Sequence, residues 1–439
     1  MRMDLFCKKT YIILVCIAIS ALVQIHAKSV GESVFPADGI AADNNAVGLD
    51  SVATVSSDTV RVADDIMLSD SKYKHELAPG PFTLTFGKQT KFLSYLDRLV
   101  TGNVDRTFEK KIDVNYIVMP SYTREGSFGI GGGATGLYRL DKTDSIMSPS
   151  DVTLIGNVTL NGLFSLTAYG NNLFPGRKLR LSYKLEFTYS PLDFWGTTAE
   201  ACRNNPKISY TRQQLKWNSD LMYRLGGPFY MGTSLDLIYS KVLQMDNWDY
   251  LGGENRHYFF TGIGVTFQYD TRDFIPNPKR GMNFVIGGGV KPQFLGSFSR
   301  TLFNAKMTYN AYLPAWKGAL LAFDAYASYN CMESPWPLRE SLGSGGIRMR
   351  GYYGGRYIDN NLISVQAELR QHIFDRIGCA AWVGAGGVFH TYDSIRMRNI
   401  LPNYGIGLRI ELKHNVNGRI DYGFGKGTGG FVFSIGEAF

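Results

Sequence analysis

Long hydrophobic runs are what this sequence lacks. Beyond its first 27 residues, no apolar stretch approaches the roughly 20 residues a membrane-spanning helix needs. A bundle of such helices is therefore excluded. Cysteine is scarce. Of five, Cys7 and Cys16 lie near the start, which leaves Cys202, Cys331 and Cys379. An odd number excludes a fully paired disulfide framework, and the spacing suggests no metal site. The six histidines are scattered. No Gly-x-Ser-x-Gly elbow and no His-Glu-x-x-His pair occurs. The glycines of "GIGGGATG" (129–136) alternate with strand residues, so they suit a crowded, curved sheet better than a phosphate loop. Neither an enzyme, a cofactor nor a metal centre is expected. No nucleic-acid motif is present, despite a formal net charge of +8.

What is present begins with an export signal. Arg2, Lys8 and Lys9 precede the apolar "YIILVCIAISALV", and Ala27 offers a small residue for cleavage. Residues 1–27 are expected to be a signal peptide. Residues 28–80 carry nine acidic and four basic residues and no aromatic cluster. They are expected to be an acidic, disordered periplasmic tail. Residues 81–110 are expected to be a linker with one short amphipathic helix. Phe92, Tyr95, Leu96 and Leu99 fall at helical spacing, with Thr90 as N-cap and Gly102 as stop. The remaining chain is strongly basic. That suits contact with anionic lipid head groups or a cation-lined lumen.

From Lys111 the period becomes two. Leu179, Leu181, Tyr183, Leu185, Phe187 and Tyr189 share one face of a strand, and Arg180, Ser182, Lys184, Glu186 and Thr188 the other. The same contrast recurs in 211–223, 303–313 and 404–412. Segments of about ten residues, apolar-aromatic on one face and polar on the other, are the pattern of a transmembrane barrel. In hydrocarbon, an open edge would leave backbone groups unpaired, so such a sheet must close. The fold class is therefore all-β, with residues 111–439 forming a 16-stranded antiparallel transmembrane β-barrel. The expected strand starts are 111, 127, 152, 163, 179, 210, 229, 259, 282, 301, 319, 361, 379, 402, 418 and 431. Short turns and long loops alternate, the long ones at 191–209, 245–257, 332–360 and 391–401. Short turns face the periplasm and long loops the outside. The final segment "FVFSIGEAF" sets Phe431, Phe433, Ile435 and Phe439 on one face, the aromatic-ended pattern of a closing barrel strand. Gly436 is expected to weaken pairing there.

The long loop contains "SLGSGGIRMRGYYGG", followed by "NNLISVQAELRQHIF". This resembles loop six and strand twelve of the BamA/TamA family, the bacterial surface-antigen type of outer-membrane barrel. "YDTRDFIPNPKRG", "GRIDYGFG" and "FSIGEAF" are similar to other parts of that barrel. The resemblance covers about residues 111–439 and implies a bacterial outer-membrane location. It implies that loop six folds inward and that Arg350, with Gly351 and Tyr352 at its tip, is held by Glu368 on the barrel wall. Period two puts Ser364, Gln366, Glu368, Arg370 and His372 on that lumenal face. The family's second partner, an Asp in strand thirteen, is replaced here by Gly384. The chain also looks stripped of the family's periplasmic POTRA domains. The function implied is insertion or translocation of outer-membrane proteins through a weak seam between strands one and sixteen. The alternatives are a pore or transport barrel, and a structural accessory subunit of an outer-membrane complex. The expected partners are outer-membrane lipid, client outer-membrane proteins and a periplasmic or accessory subunit.

Overall fold

A computed structural model describes residues 107–439 apart from 144–148, 274–276, 344–345, 375 and 414–415. The expected signal peptide, acidic tail and short helix lie outside the described residues. Sixteen strands follow one another in a single antiparallel sheet whose order is the chain order. They are β1 (Asp113–Thr123), β2 (Ser127–Tyr138), β3 (Ser150–Thr159), β4 (Phe164–Leu173), β5 (Leu179–Phe194), β6 (Ile208–Gly226), β7 (Phe229–Met245) and β8 (His257–Asp270). Then come β9 (Gly281–Lys291), β10 (Leu302–Pro314), β11 (Ala319–Asn330), β12 (Asn361–Phe374), β13 (Ile377–Phe389), β14 (Leu401–Lys413), β15 (Val416–Gly425) and β16 (Thr428–Ile435). The all-β expectation holds. Among the described residues no helix is long and apolar enough to cross a membrane.

The two faces of the sheet differ as the period-two pattern requires. Leu185, Trp217, Leu221, Phe303, Val365, Tyr404 and Ile406 are exposed on one side. Gln214, Asn283, Asn310, Asp324, Gln366, Glu368 and Asp421 are buried on the other. A soluble sheet would bury the apolar face. This one buries its polar face and leaves the apolar face outside, the arrangement that a hydrocarbon surround stabilises.

Strands β5, β6 and β7 run to 16, 19 and 17 residues, beyond the roughly 9–11 that cross a bilayer. Their ends carry an apolar cluster of Phe194, Tyr210, Val242, Met245, Leu251, Tyr258, Phe260 and Trp336. The loop expected at 191–209 is accordingly shorter. It holds a helix that the sequence reading missed, α1 (Ala199–Asn204), capped by the Thr198 side chain accepting from the Ala201 N–H. That burial extends the strands past the point where alternation alone would end them.

One expectation is corrected. Gly436 and Phe439 are not part of the last strand. β16 ends at Ile435, and Gly436 turns the chain with φ 87° while donating its N–H to the Asn417 carbonyl at 2.8 Å. A left-handed φ is open to glycine and costly for a residue with a Cβ. Gly436 therefore terminates the ladder instead of weakening it. Beyond the turn, Ala438 is buried, and Phe439 lies beside Arg370 with the guanidinium 5.1 Å from its ring centre. Phe431 and Phe433 stay on the exposed apolar face.

Among the described residues Cys202, Cys331 and Cys379 form no disulfide. Cys202 is fully buried in α1, its thiol directed to the Gly196 carbonyl, and burial pushes its pKa up. Cys379 is exposed on β13. A buried, undissociated thiol is a poor nucleophile. In detergent, maleimide is expected to label Cys379 rapidly and Cys202 only after denaturation, as read by peptide mass spectrometry. Equal rates would contradict this packing.

Candidate functional site

In the segment between β11 and β12, Trp336 donates its backbone N–H to Glu254 at 2.7 Å and its indole N–H to the Asn255 carbonyl at 2.9 Å. A two-residue ladder then pairs Glu340–Ser341 with Ile358–Asp359. This ladder ties the base of the loop, and the segment it encloses reaches the buried polar face. There Leu342, Met349 and Tyr352 pack with Leu362, Val388, Leu401 and Ala199.

At the tip, Arg350 is fully buried. Its Nη2 lies 2.6 Å from Glu368 Oε2 on β12, and its Nη1 lies 2.7 Å from Asp421 Oδ2 on β15. The guanidinium also sits 3.6 Å from the Trp382 ring centre on β13. On a flat sheet β12 and β15 would stand about 14 Å apart. Curvature and side-chain reach bring both carboxylates to one guanidinium. The sequence reading placed Glu368 here and missed Asp421. The signal lay in "GRIDYGFG", where Arg419 and Asp421 alternate onto the polar face. Gly384 faces Gln366 across the β12–β13 ladder, and a Cβ there would press on the Val365 carbonyl and Gln366. The second carboxylate thus comes from β15 instead of β13.

Around Arg350 the charges form a closed set. Glu368 also meets Arg370 at 2.7 Å and Arg409 at 3.3 Å. Asp421 meets Arg409 at 2.6 Å and Arg419 at 3.3 Å. Glu437, past the Gly436 turn, reaches Arg409 at 2.9 Å and Arg370 at 3.4 Å. Isolated charges buried this deeply would be prohibitively unfavourable; paired and hydrogen-bonded, they fix geometry. A second pair holds the loop next to the tip, where Arg348 grips Asp324 of β11 through two bonds of 2.7 Å. Neighbouring Met349 has φ 52°, a backbone state that persists only where surrounding contacts over-determine it.

Gly351 completes the tip. It has φ 91°, and a Cβ on it would collide with the backbone of Gly423 in β15, as a Cβ on Gly423 would with Arg350. Loop and sheet meet backbone to backbone here. Tyr352 donates its hydroxyl to the Pro402 carbonyl at 2.7 Å and accepts from the Lys426 N–H at 2.8 Å.

The same loop reaches the free edges of the sheet. β1 and β16 are not hydrogen-bonded neighbours among the described residues, although every consecutive pair of strands is. They meet instead through side chains near the start of β16. The Tyr122 ring lies 6.5 Å from both Phe431 and Phe433. Arg124, in the β1–β2 turn, donates to the Gly351 carbonyl at 2.6 Å, to the Gly429 carbonyl at 3.1 Å and to the Thr428 hydroxyl. Glu125 accepts the Gly354 N–H at 2.6 Å. Burial pushes the Glu125 carboxyl above the usual range.

Two predictions follow from this geometry. Arg350→Ala leaves Asp421 and Glu368 short of a partner and is expected to cost about 3–5 kcal/mol, measured as a lower urea midpoint. Arg350→Lys, a point charge unable to bridge both carboxylates, should recover little of it. An unchanged midpoint would remove the pair from any structural role. Glu125 binds its proton more tightly folded than unfolded, so its share of stability falls as pH rises through the raised value. Glu125→Gln, which keeps an acceptor for Gly354, should flatten that slope. A variant whose slope matches the parent would contradict the assignment.

The family model of the Omp85 superfamily domain matches residues 155–439. No curated protein matches the chain. Among solved structures, CdiB from Escherichia coli matches with a TM-score of 0.51 at 12% identity, over 74% of this chain and 60% of that one. BamA from Haemophilus ducreyi lacking POTRA domains 1–3 matches with a TM-score of 0.48 at 13% identity, over 74% and 70%. CdiB from Acinetobacter baumannii gives 0.47 at 13%, over 75% and 66%. With well over half of its length matched by the family model, the chain belongs to the Omp85 superfamily, as a BamA/TamA-like outer-membrane barrel.

Proposed function

We propose that this protein closes into a 16-stranded barrel whose seam between β1 and β16 opens to pass or insert outer-membrane polypeptides. The observation that carries the reading is the seam itself. Every other junction is a backbone ladder, whereas this one is held at its outer end by Tyr122 and Arg124. An unpaired strand edge is a template for an incoming strand, so two such edges side by side suit a client barrel under assembly. On this reading Arg350, Gly351, Tyr352 and Glu368 hold loop six in the lumen. Phe431, Phe433 and Ile435 form the closing strand. The signal peptide delivers the chain to the bacterial outer membrane, and a periplasmic or accessory partner supplies client capture. No catalytic step is part of the proposal.

A plugged transport barrel is the second reading. A cavity of about 530 Å³ beside loop six, lined by Lys184, Asn218, Asp220 and Arg419 among others, favours it.

One experiment separates them. Tyr122→Cys with Phe431→Cys, tethered by a bismaleimide, should abolish the acceleration of client-barrel folding in liposomes and leave ion conductance unchanged. Arg124→Ala removes the hydrogen bonds at the outer end of the seam. It should raise the open population about tenfold, read as faster client crosslinking to β1. Steady conductance with no effect on client folding, tethered or not, would exclude the seam mechanism and leave transport.

A further inference from the structure

We infer that the cavity beside loop six is a binding site for an uncharged, polyhydroxylated solute of disaccharide size. Such a site rests on the barrel reading above and gives its transport alternative a class of solute. The cavity holds about 530 Å³, a volume usual for small-molecule sites, which are lined mainly by apolar side chains. Here Ile347 of loop six is the one aliphatic side chain in the lining. Strands β4 to β6 contribute Tyr169, Asn171, Ser182, Lys184, Asn218 and Asp220.

Four charged side chains line the cavity, two of each sign. Three are spent on protein partners: Lys184 pairs with Glu186 at 2.5 Å, Arg419 with Asp421 at 3.3 Å and Glu437 with Arg409 at 2.9 Å. Asp220 is the exception, with no hydrogen bond or ion pair among the described residues. A half-buried carboxylate without a partner calls for donors. An amine would bring donors and a charge. Yet Asp220 stands opposite Ser182, and Arg180 and Lys184 lie two residues to either side of Ser182 on the same face. These cations flank Asp220 and oppose an incoming cation, while an anion meets the carboxylate itself. Hydroxyl groups donate to Asp220 without adding charge.

The surrounding wall has the same character. Ser121 donates to Asn157 at 2.6 Å, Thr135 meets Thr153 at 3.0 Å, and Ser182 donates to Asn171 at 2.7 Å. Hydroxyls and amides both donate and accept, as every hydroxyl of a sugar does. Tyr169, opposite Lys184 across the β4–β5 ladder, combines an aromatic face with a polar tip. That suits the C–H face of a pyranose.

Maltose is the probe. Full-length protein folded in detergent should bind it saturably in isothermal titration calorimetry. Asp220→Ala should weaken that binding about tenfold or more, the loss expected for hydrogen bonds to a charged group. The substitution leaves no partner stranded, so the heat-modifiable folded band should persist. Citrate and spermidine should give no saturable heat. Folded parent without saturable maltose binding overturns the inference, as does equal affinity in parent and Asp220→Ala. Saturable citrate or spermidine binding without maltose also overturns it and assigns a charged ligand. Maltose efflux from proteoliposomes is read separately. Binding without efflux sustains the site and excludes the transport reading. Efflux without saturable binding excludes the site and leaves transport standing.

Discussion

One guanidinium organises this molecule. Arg350 is fully buried between Glu368 and Asp421, on strands three apart in the sheet. A buried charge tolerates few positions, because displacement leaves it and its partners uncompensated in a poorly polarisable environment. Fixing Arg350 therefore fixes the loop tip and the relative placement of β12 and β15. The neighbouring Arg348–Asp324 pair does the same for β11. Four guanidiniums and three carboxylates share this cluster.

The cluster is connected to both ends of the sheet. Glu437 brings the residues after β16 into contact with Arg370 and Arg409. On the other side, the carbonyl of Gly351, next to Arg350, accepts from Arg124 of the β1–β2 turn. The first and last strands are thus coupled to the same loop tip through hydrogen bonds, while no ladder joins them to each other among the described residues. On the proposed function, a junction made of a few side chains would open without unzipping a run of backbone bonds.

The strand lengths add a further asymmetry. β5 to β7 extend past the membrane-crossing length, and their ends bury an apolar cluster with Trp336 of the long loop. That side of the sheet is rigidly built. β1 is 11 residues long, β16 is 8, and β2 is rich in glycine. The two edge strands are thus among the shorter strands of the sheet.

Much of this was legible in the sequence. Alternation of apolar and polar residues located the strands closely because lipid imposes one face and the interior the other. The largest offset is the last strand, expected from 431 and observed from Thr428. The Gly-rich loop and the Arg350–Glu368 pairing were legible through a family pattern at the loop tip. Asp421, Arg409 and Glu437 were not, because their convergence depends on curvature bringing separate strands to one point. The inward turn of the C-terminal residues was missed as well. The alternation of Phe431, Phe433 and Ile435 breaks at Glu437, just past Gly436, whose left-handed backbone reverses direction. Sequence determined which residues face lipid, because that choice is local to each strand. Tertiary structure decided which buried charges meet and how the two edges are held, because those depend on distances between strands remote in the chain.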